Sequence, residues 1–260
     1  MLLFERTQQI LQQLTESESL SVRDAIRLFN VSPATVRRDF SKLSSEGLVR
    51  RVRGGVAIAK EANGDIPSFS LRAVQHAREK LALANRAAEL LQPDDVVIVE
   101  GGTTTCMLGT CIPDFHLQLI TNSVRLASML EGKHITRPQM EIIVTGGMLY
   151  PKAGILLGPS AEATLAQYHA RWAFLSAGGI TEAGVFTTNE LVVELLRVMI
   201  RNAEKVVVMA DHSKISRRAM CHLCDFDCVD MLITDECPSS EPTLEHLAAQ
   251  GLEVLRVKVA

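Results

Sequence analysis

Residues 97–106, VIVEGGTTTC, end an apolar run in an acid, two glycines and three threonines. Those residue types at that spacing suit a phosphate or a sugar. Glycines let backbone N–H groups approach an anion, threonine hydroxyls add donors, and Glu100 can pair with hydroxyls or charges of a ligand. Similar clusters recur along the chain in TNS (121–123), TGG (145–147), SAGG (176–179) and ADHSK (210–214), where Lys214 can supply a countercharge. One such turn is ordinary capping chemistry, but five point to a shared pocket.

A second reactive set is cationic and lies near the N-terminus. Residues 1–60 hold ten Lys/Arg and six Asp/Glu, a net of +4, so the rest of a chain with overall charge −3 carries −7. A basic head on an acidic body suggests a polyanion partner for the head alone. The cations cluster as Arg37, Arg38 and Lys42 in VSPATVRRDFSKL, and as Arg50, Arg51 and Arg53 in GLVRRVRGG, with Ser32 and Thr35 nearby.

Other sets carry less. Cys221, Cys224 and Cys228 in CHLCDFDC could hold a soft metal with His212 or His222, but no second CxxC or HxxxH partner completes a zinc pattern. The seven histidines are dispersed and form no HExxH motif, so no metal or cofactor is expected. Cys106 follows the threonines without a recognisable His–Asn set, which makes it a core thiol. Glu190 and Glu194, at i and i+4, belong on the outer or pocket edge of a helix.

The elements that must position these groups follow from periodicity. Ile10, Leu11 and Leu14 mark one helix, and Val22, Ala25, Ile26 and Phe29 a second, capped by Ser21 with Asp24 three residues on. Ser32 caps a third that starts at Pro33. On it Val36, Phe40 and Leu43 share one face, while Ala34, Arg38, Ser41 and Ser45 lie opposite, flanked by Thr35, Arg37 and Lys42. Leu48, Val49, Val52 and Val56 then read as a strand pair bent at Gly54-Gly55. Three helices and a β-wing form a DNA reader: Arg38 is placed to pair with a base edge in the major groove, and Arg50, Arg51 and Arg53 to meet phosphates. Residues 1–58 are the expected DNA-binding domain and 59–75, around KEANGDIPSF, the linker.

From 76 to 260 helical stretches alternate with apolar strands at Val96–Val99, Leu117–Ile120, Glu141–Val144, Trp172–Leu175, Val206–Met209, Met231–Thr234 and Glu253–Val257. That alternation predicts an α/β domain with a mainly parallel sheet, whose ligands gather beyond the carboxyl ends of the strands. No apolar run nears the roughly 20 residues of a membrane span, and MLLFERTQQI turns polar too early for a signal peptide, so a cytoplasmic protein without a membrane partner is expected.

These residues resemble a known family. SVRDAIRLFNVSPATVRRDFSKLSSEGLVRRVRGGVA looks like the winged helix-turn-helix of the DeoR-type bacterial transcription regulators, and EGGTTT, LITNSVRLA, VTGG, GPSA, AFLSAGGI, VVVMADHSKI and VDMLITDE resemble the C-terminal sensor domain of that family. The resemblance implies double-stranded operator DNA as partner, a fold similar to ribose-5-phosphate isomerase and the CoA transferases, and a sugar phosphate or related metabolite as effector. It makes Gly102, Thr103, Thr104, Asn122, Gly147, Gly179, Asp211 and Lys214, beside Glu100, the pocket candidates. It also makes Asp39 an orienting partner for a neighbouring Arg. Repression, of carbohydrate-metabolism genes, is the family expectation; a homodimer is expected because a symmetric pair reads two half-sites, with a homotetramer as the alternative.

Two departures alter a carboxylate. Where many members have Asp-Ser-Gly-Thr-Thr, this chain has Glu100-Gly101-Gly102-Thr103-Thr104; where many have Gly-Ala-Asp-Gly, it has Ser176-Ala177-Gly178-Gly179. The related isomerases place acids after the fourth strand, and here SAGGITEAG offers only Glu182. The pocket therefore reads as a sensor without catalytic residues, with a sugar-phosphate isomerase bearing a nucleic-acid-binding appendage as the alternative.

Overall fold

The computed structural model describes residues 3–17, 19–45, 47–59, 68–132 and 140–259. The chain divides into two compact units, Met1–Gln75 and His76–Ala260.

In the first unit α1 (Leu3–Ser17), β1 (Ser19–Ser21), α2 (Val22–Phe29) and α3 (Pro33–Ser45) precede the hairpin β2 (Val49–Val52) and β3 (Gly55–Ile58); α4 (Phe69–Val74) follows. Ser21 Oγ accepts the Asp24 amide at 3.0 Å and starts α2. Asn30, left-handed at φ 50°, ends it and sets the turn into α3. Ile10, Leu11, Leu14, Val36, Phe40 and Leu43 are all at most 2% exposed and form the core with Leu48, Val49 and Val56.

Two features differ from the sequence reading. The wing has a third strand, since β1 pairs antiparallel with β3 through Ser19↔Ala57, Leu20↔Val56 and Ser21↔Gly55. The glycines accordingly divide their work: Gly54 takes the bend at φ +80°, whereas a Cβ on Gly55 would lie 2.2 Å from the Leu20 carbonyl oxygen. The stretch expected as linker, 59–75, ends in α4, whose Leu71 and Val74 join the first unit's core. Residues 60–67 of that stretch lie outside the described residues.

The second unit opens with α5 (Ala77–Ala88), β4 (Val96–Val99), α6 (Thr103–Cys111), β5 (Leu117–Thr121), α7 (Val124–Glu131) and β6 (Met140–Val144). A hairpin, β7 (Met148–Tyr150) and β8 (Ile155–Leu157), and α8 (Pro159–Leu165) lead to β9 (Ala170–Ser176). The small strands β10 (Gly179–Thr181) and β11 (Gly184–Thr187) precede α9 (Val193–Arg201), β12 (Ala203–Met209) and β13 (Cys221–Cys224). The order closes with β14 (Met231–Asp235), α10 (Glu241–Ala249) and β15 (Glu253–Val257).

Among the described residues seven strands form one parallel sheet in the order β15-β14-β12-β9-β4-β5-β6. From β4 the chain moves one way across the sheet, to β5 and β6. From β9 it moves the other way, to β12, β14 and β15. The order therefore reverses between β4 and β9, and at such a switch point the loops leaving adjacent strands diverge and open a crevice.

Candidate functional site

In the first unit Ser32 and Thr35 are engaged with each other. Ser32 Oγ accepts the Thr35 amide at 3.2 Å and lies 2.9 Å from Thr35 Oγ1. Arg37, Arg38 and Lys42 are exposed on α3, on the side away from buried Val36, Phe40 and Leu43, and Arg50, Arg51 and Arg53 are exposed on the wing. Arg51 donates to Ser41 Oγ, and Ser41 donates to the Arg37 carbonyl at 2.6 Å, which ties wing to helix. Among the described residues the guanidinium groups of Arg37, Arg38, Arg50 and Arg53 have no protein acceptor, which leaves four cations on one winged surface for an external polyanion.

Asp39 faces inward, 2% exposed, and accepts from Arg6 Nε at 2.5 Å and Nη2 at 3.2 Å. Its partner is thus an arginine on α1, not one of its neighbours on α3. The pair braces α3 against α1, and the hydrogen bond from Arg6, against the cost of burial, raises the pKa of the Arg6 guanidinium.

In the second unit the sheet's switch point is spanned by Glu100. It directly follows β4, is 8% exposed, and its Oε2 accepts from Ser176 N at 3.1 Å and Ser176 Oγ at 2.8 Å at the end of β9. Thr105 Oγ1 donates to the Glu100 carbonyl at 2.7 Å and reaches Oε2 at 3.3 Å. Glu100, the first departure from the family pattern, therefore contacts Ser176, which opens the second departing stretch; the position in that stretch that lacks the carboxylate is Gly178. Gly102 is what lets Glu100 and Ser176 meet: a Cβ there would sit 2.1 Å from Ser176 Oγ and 2.7 Å from Glu100 Oε2. Gly101 donates its amide to Asn122 Oδ1 at 3.0 Å, and Asn122 Nδ2 reaches the Leu156 carbonyl at 3.3 Å.

Gly102 is also the residue before α6 and has no side chain to cap it. The first turn of α6 is buried beside Glu100, and among the described residues the Thr103 and Thr104 hydroxyls make no hydrogen bond to protein. Amides at a helix start and two unspent hydroxyls suit an anion bearing hydroxyl groups.

A second cluster forms beyond β12. Asp211 is fully buried; its Oδ1 accepts the Ser213 amide at 3.1 Å and the Ser213 hydroxyl, while Oδ2 has no hydrogen-bond partner. Burial pushes its pKa up, but Lys214, the Ser213 hydroxyl, His76 and Lys80 outweigh that and hold the carboxyl below its usual range. Lys214 Nζ donates to Ser213 Oγ at 3.0 Å. Lys80 is 3% exposed, on the same face of α5 as Leu83, Ala84 and Ala87. Sequence reasoning passed over Lys80, although a lysine in an apolar stripe is a signal, because a buried ammonium needs a charge partner.

Other candidates stand apart. Gly147, at φ +103°, is an exposed residue whose Cβ would meet the Leu157 carbonyl at 2.6 Å. Gly179 lies against the Arg217 carbonyl, 2.2 Å from where a Cβ would stand. Both glycines satisfy close backbone packing. Glu182 is exposed in the turn between β10 and β11, and Glu190 and Glu194 are exposed. Cys221 and Cys224 lie on β13, where burial pushes the Cys224 thiol up to about 12, and Cys228 is exposed on the following turn.

The DeoR-like helix-turn-helix domain matches residues 6–62, and the DeoR C terminal sensor domain matches residues 75–236. The chain belongs to the DeoR family of transcription regulators. Among relatives of this DeoR-family chain, the HTH-type transcriptional regulator YulB of Bacillus subtilis (strain 168) is 33% identical over 100% of this chain and 96% of its own. The HTH-type transcriptional regulator UlaR of Shigella dysenteriae serotype 1 is 32% identical over 97% of this chain and 98% of its own. Ribose 5-phosphate isomerase A from Methanocaldococcus jannaschii overlaps with a TM-score of 0.37 and 18% identity, over 54% of each chain. The DeoR-type chain is thus a DNA-binding regulator with a sensor domain rather than an enzyme. Among the described residues no helix is long and apolar enough to cross a membrane.

Proposed function

We propose that this regulator is a repressor of carbohydrate-metabolism genes whose affinity for operator DNA is controlled by a sugar phosphate or related metabolite in the second unit. The observation that carries the reading is the cradle at the β4/β9 switch point: Glu100 held by Ser176, a glycine at 102 where no side chain fits, and the unspent hydroxyls of Thr103 and Thr104. Glu100 accepts from sugar hydroxyls, the start of α6 receives an oxyanion, and Lys214 with Asp211 supplies paired charge at the neighbouring strand end. Asn122 positions Gly101 in this scheme, while Gly147 and Gly179 shape the backbone around it. Arg38 reads a base edge; Arg37, Lys42, Arg50, Arg51 and Arg53 meet phosphates, with Ser32 and Thr35 at the start of the reading helix.

A homodimer presents two such heads to two half-sites, and a tetramer doubles the arrangement. The effector acts by binding one arrangement of the protein more tightly than the other, and only that difference in affinity can be passed to the DNA.

The test is a thermal-shift panel of inorganic phosphate, sugars, sugar acids and sugar phosphates on the full chain, paired with fluorescence anisotropy on the DNA upstream of its own gene. At least one sugar phosphate should raise Tm and change DNA affinity, because ligand bound to the native state adds RT ln(1 + [L]/Kd). Gly102→Val and Lys214→Ala should each remove both effects. A panel without any shift, or one that survives both substitutions, overturns the reading.

A further inference from the structure

His76 and His212, distant in sequence, meet at the carboxyl edge of the sheet. Their rings stand edge-to-face with centroids 4.9 Å apart at 85°. Glu79, one turn along α5, brings Oε1 to 4.0 Å from His76 Nδ1. One ligand atom from each of His76, Glu79 and His212 lies within 4.8 Å of the other two, and all three residues are half-buried.

The His212 ring is fixed from behind. Asp235, 2% exposed at the end of β14, takes the His212 backbone amide on Oδ1 at 2.7 Å and faces Nδ1 of the ring with Oδ2 at 2.5 Å. With Nδ1–H donated to Asp235, the lone pair of the neutral imidazole stands on Nε2. Among the described residues that nitrogen has no hydrogen-bond partner, and Glu79 has no polar contact other than His76. A carboxylate behind a histidine whose far nitrogen is unspent is the arrangement that orients metal-bound histidines and raises their basicity.

We propose that His76, Glu79 and His212 form a binding site for a divalent transition-metal ion of the zinc class, with Asp235 as the positioning residue of His212. Two imidazoles and one carboxylate are the donors of an open zinc site and suit Zn²⁺ or Co²⁺ over Mg²⁺, which prefers oxygen alone. Bonds of roughly 2.0–2.1 Å to a tetrahedral ion put neighbouring ligand atoms about 3.3 Å apart, so closure from 4.8 Å falls to rotation of the half-buried His76 and Glu79 side chains while Asp235 holds His212. Lys80 and Lys214 oppose a cation here, but Glu79, Asp211 and Asp235 outnumber them. The site does not depend on the effector's identity.

The test uses the full chain stripped with chelator and titrated with Zn²⁺, and separately with Co²⁺, while calorimetry and visible absorption are followed. One equivalent should bind per chain, with a cobalt spectrum lacking thiolate-to-metal charge transfer and with no comparable uptake of Mg²⁺. His76→Gln and His212→Ala should each weaken binding at least tenfold, and Asp235→Asn about 10–100-fold. Melting of each metal-free variant checks its folding. The proposal falls if no equivalent binds, if binding is unchanged in either histidine variant, or if a thiolate-to-metal band appears. Sugar-phosphate binding by the metal-free protein is a separate readout, so failure of either proposal is recognisable without the other.

Discussion

In the proposed sensing role, Glu100 is the residue on which the second unit's specificity would turn. A carboxylate that accepts from Thr105 Oγ1 and from both the amide and the hydroxyl of Ser176 cannot be changed without regard to its partner. Glu100→Asp shortens the side chain by a methylene, draws the acid back from Ser176 and leaves half-buried donors unpaired, which is costlier than having neither partner. Ser176→Gly removes the hydroxyl but leaves the amide donor. The two substitutions should therefore be strongly non-additive, with a coupling of about 0.5–3 kcal/mol in stability from a denaturant double-mutant cycle. The double variant, closer at these two positions to the pattern many family members carry, should also take a different effector in the thermal-shift panel. Additive effects with an unchanged ligand profile would show that 100 and 176 vary independently and that neither selects the ligand.

At the level of elements, the reading helix works only if it is held rigid against its support. The Arg6–Asp39 pair joins α1 to the inner face of α3, next to Phe40 and one turn before Leu43 in the core. Asp39→Ala takes from the buried Arg6 guanidinium the carboxylate to which it donates twice, so it should cost about 3–5 kcal/mol of the head's stability, while a hydrophobic replacement of both residues costs less. Urea denaturation of the full chain, followed by a probe in the head, measures this; a loss under 1 kcal/mol, roughly the worth of a surface pair, would mean that the bridge is effectively solvated. Asp39 announced itself in the sequence only as an acid between Arg38 and Phe40. Its true partner stands 33 residues away, because helix packing decides which guanidinium reaches it. The third strand of the wing was hidden for a similar reason: Ser19–Ser21 is too short for a period-2 pattern to register, and only its pairing with β3 defines it.

For the whole molecule, charge is unevenly shared: +4 on residues 1–60 and −7 on the remainder. Binding through the head should weaken steeply with salt, since each phosphate neutralised releases counterions and adds about 0.9 to the slope of log K against log salt. Arg53→Ala on the wing should flatten that slope by about 0.9 per head, with similar loss on every DNA sequence. Arg38→Ala should instead cost about 1–3 kcal/mol on the preferred operator and far less on scrambled DNA. Anisotropy titrations at several salt concentrations separate the two, and an equal loss on all sequences for Arg38→Ala would make it another phosphate contact. What local pattern determined was the inventory. Helix periods, caps at Ser21 and Ser32, the apolar strands and the Gly-Thr turns depend on residues within a few positions of one another, and so they were legible in a single sequence. Only the tertiary structure decided the partners: Glu100 with Ser176, Asp39 with Arg6, and His76 with His212. Those meetings depend on the order of strands in the sheet and on which helix faces pack together. Both are set by burial of the whole apolar surface, and neither leaves a mark in the spacing of the residues it brings into contact.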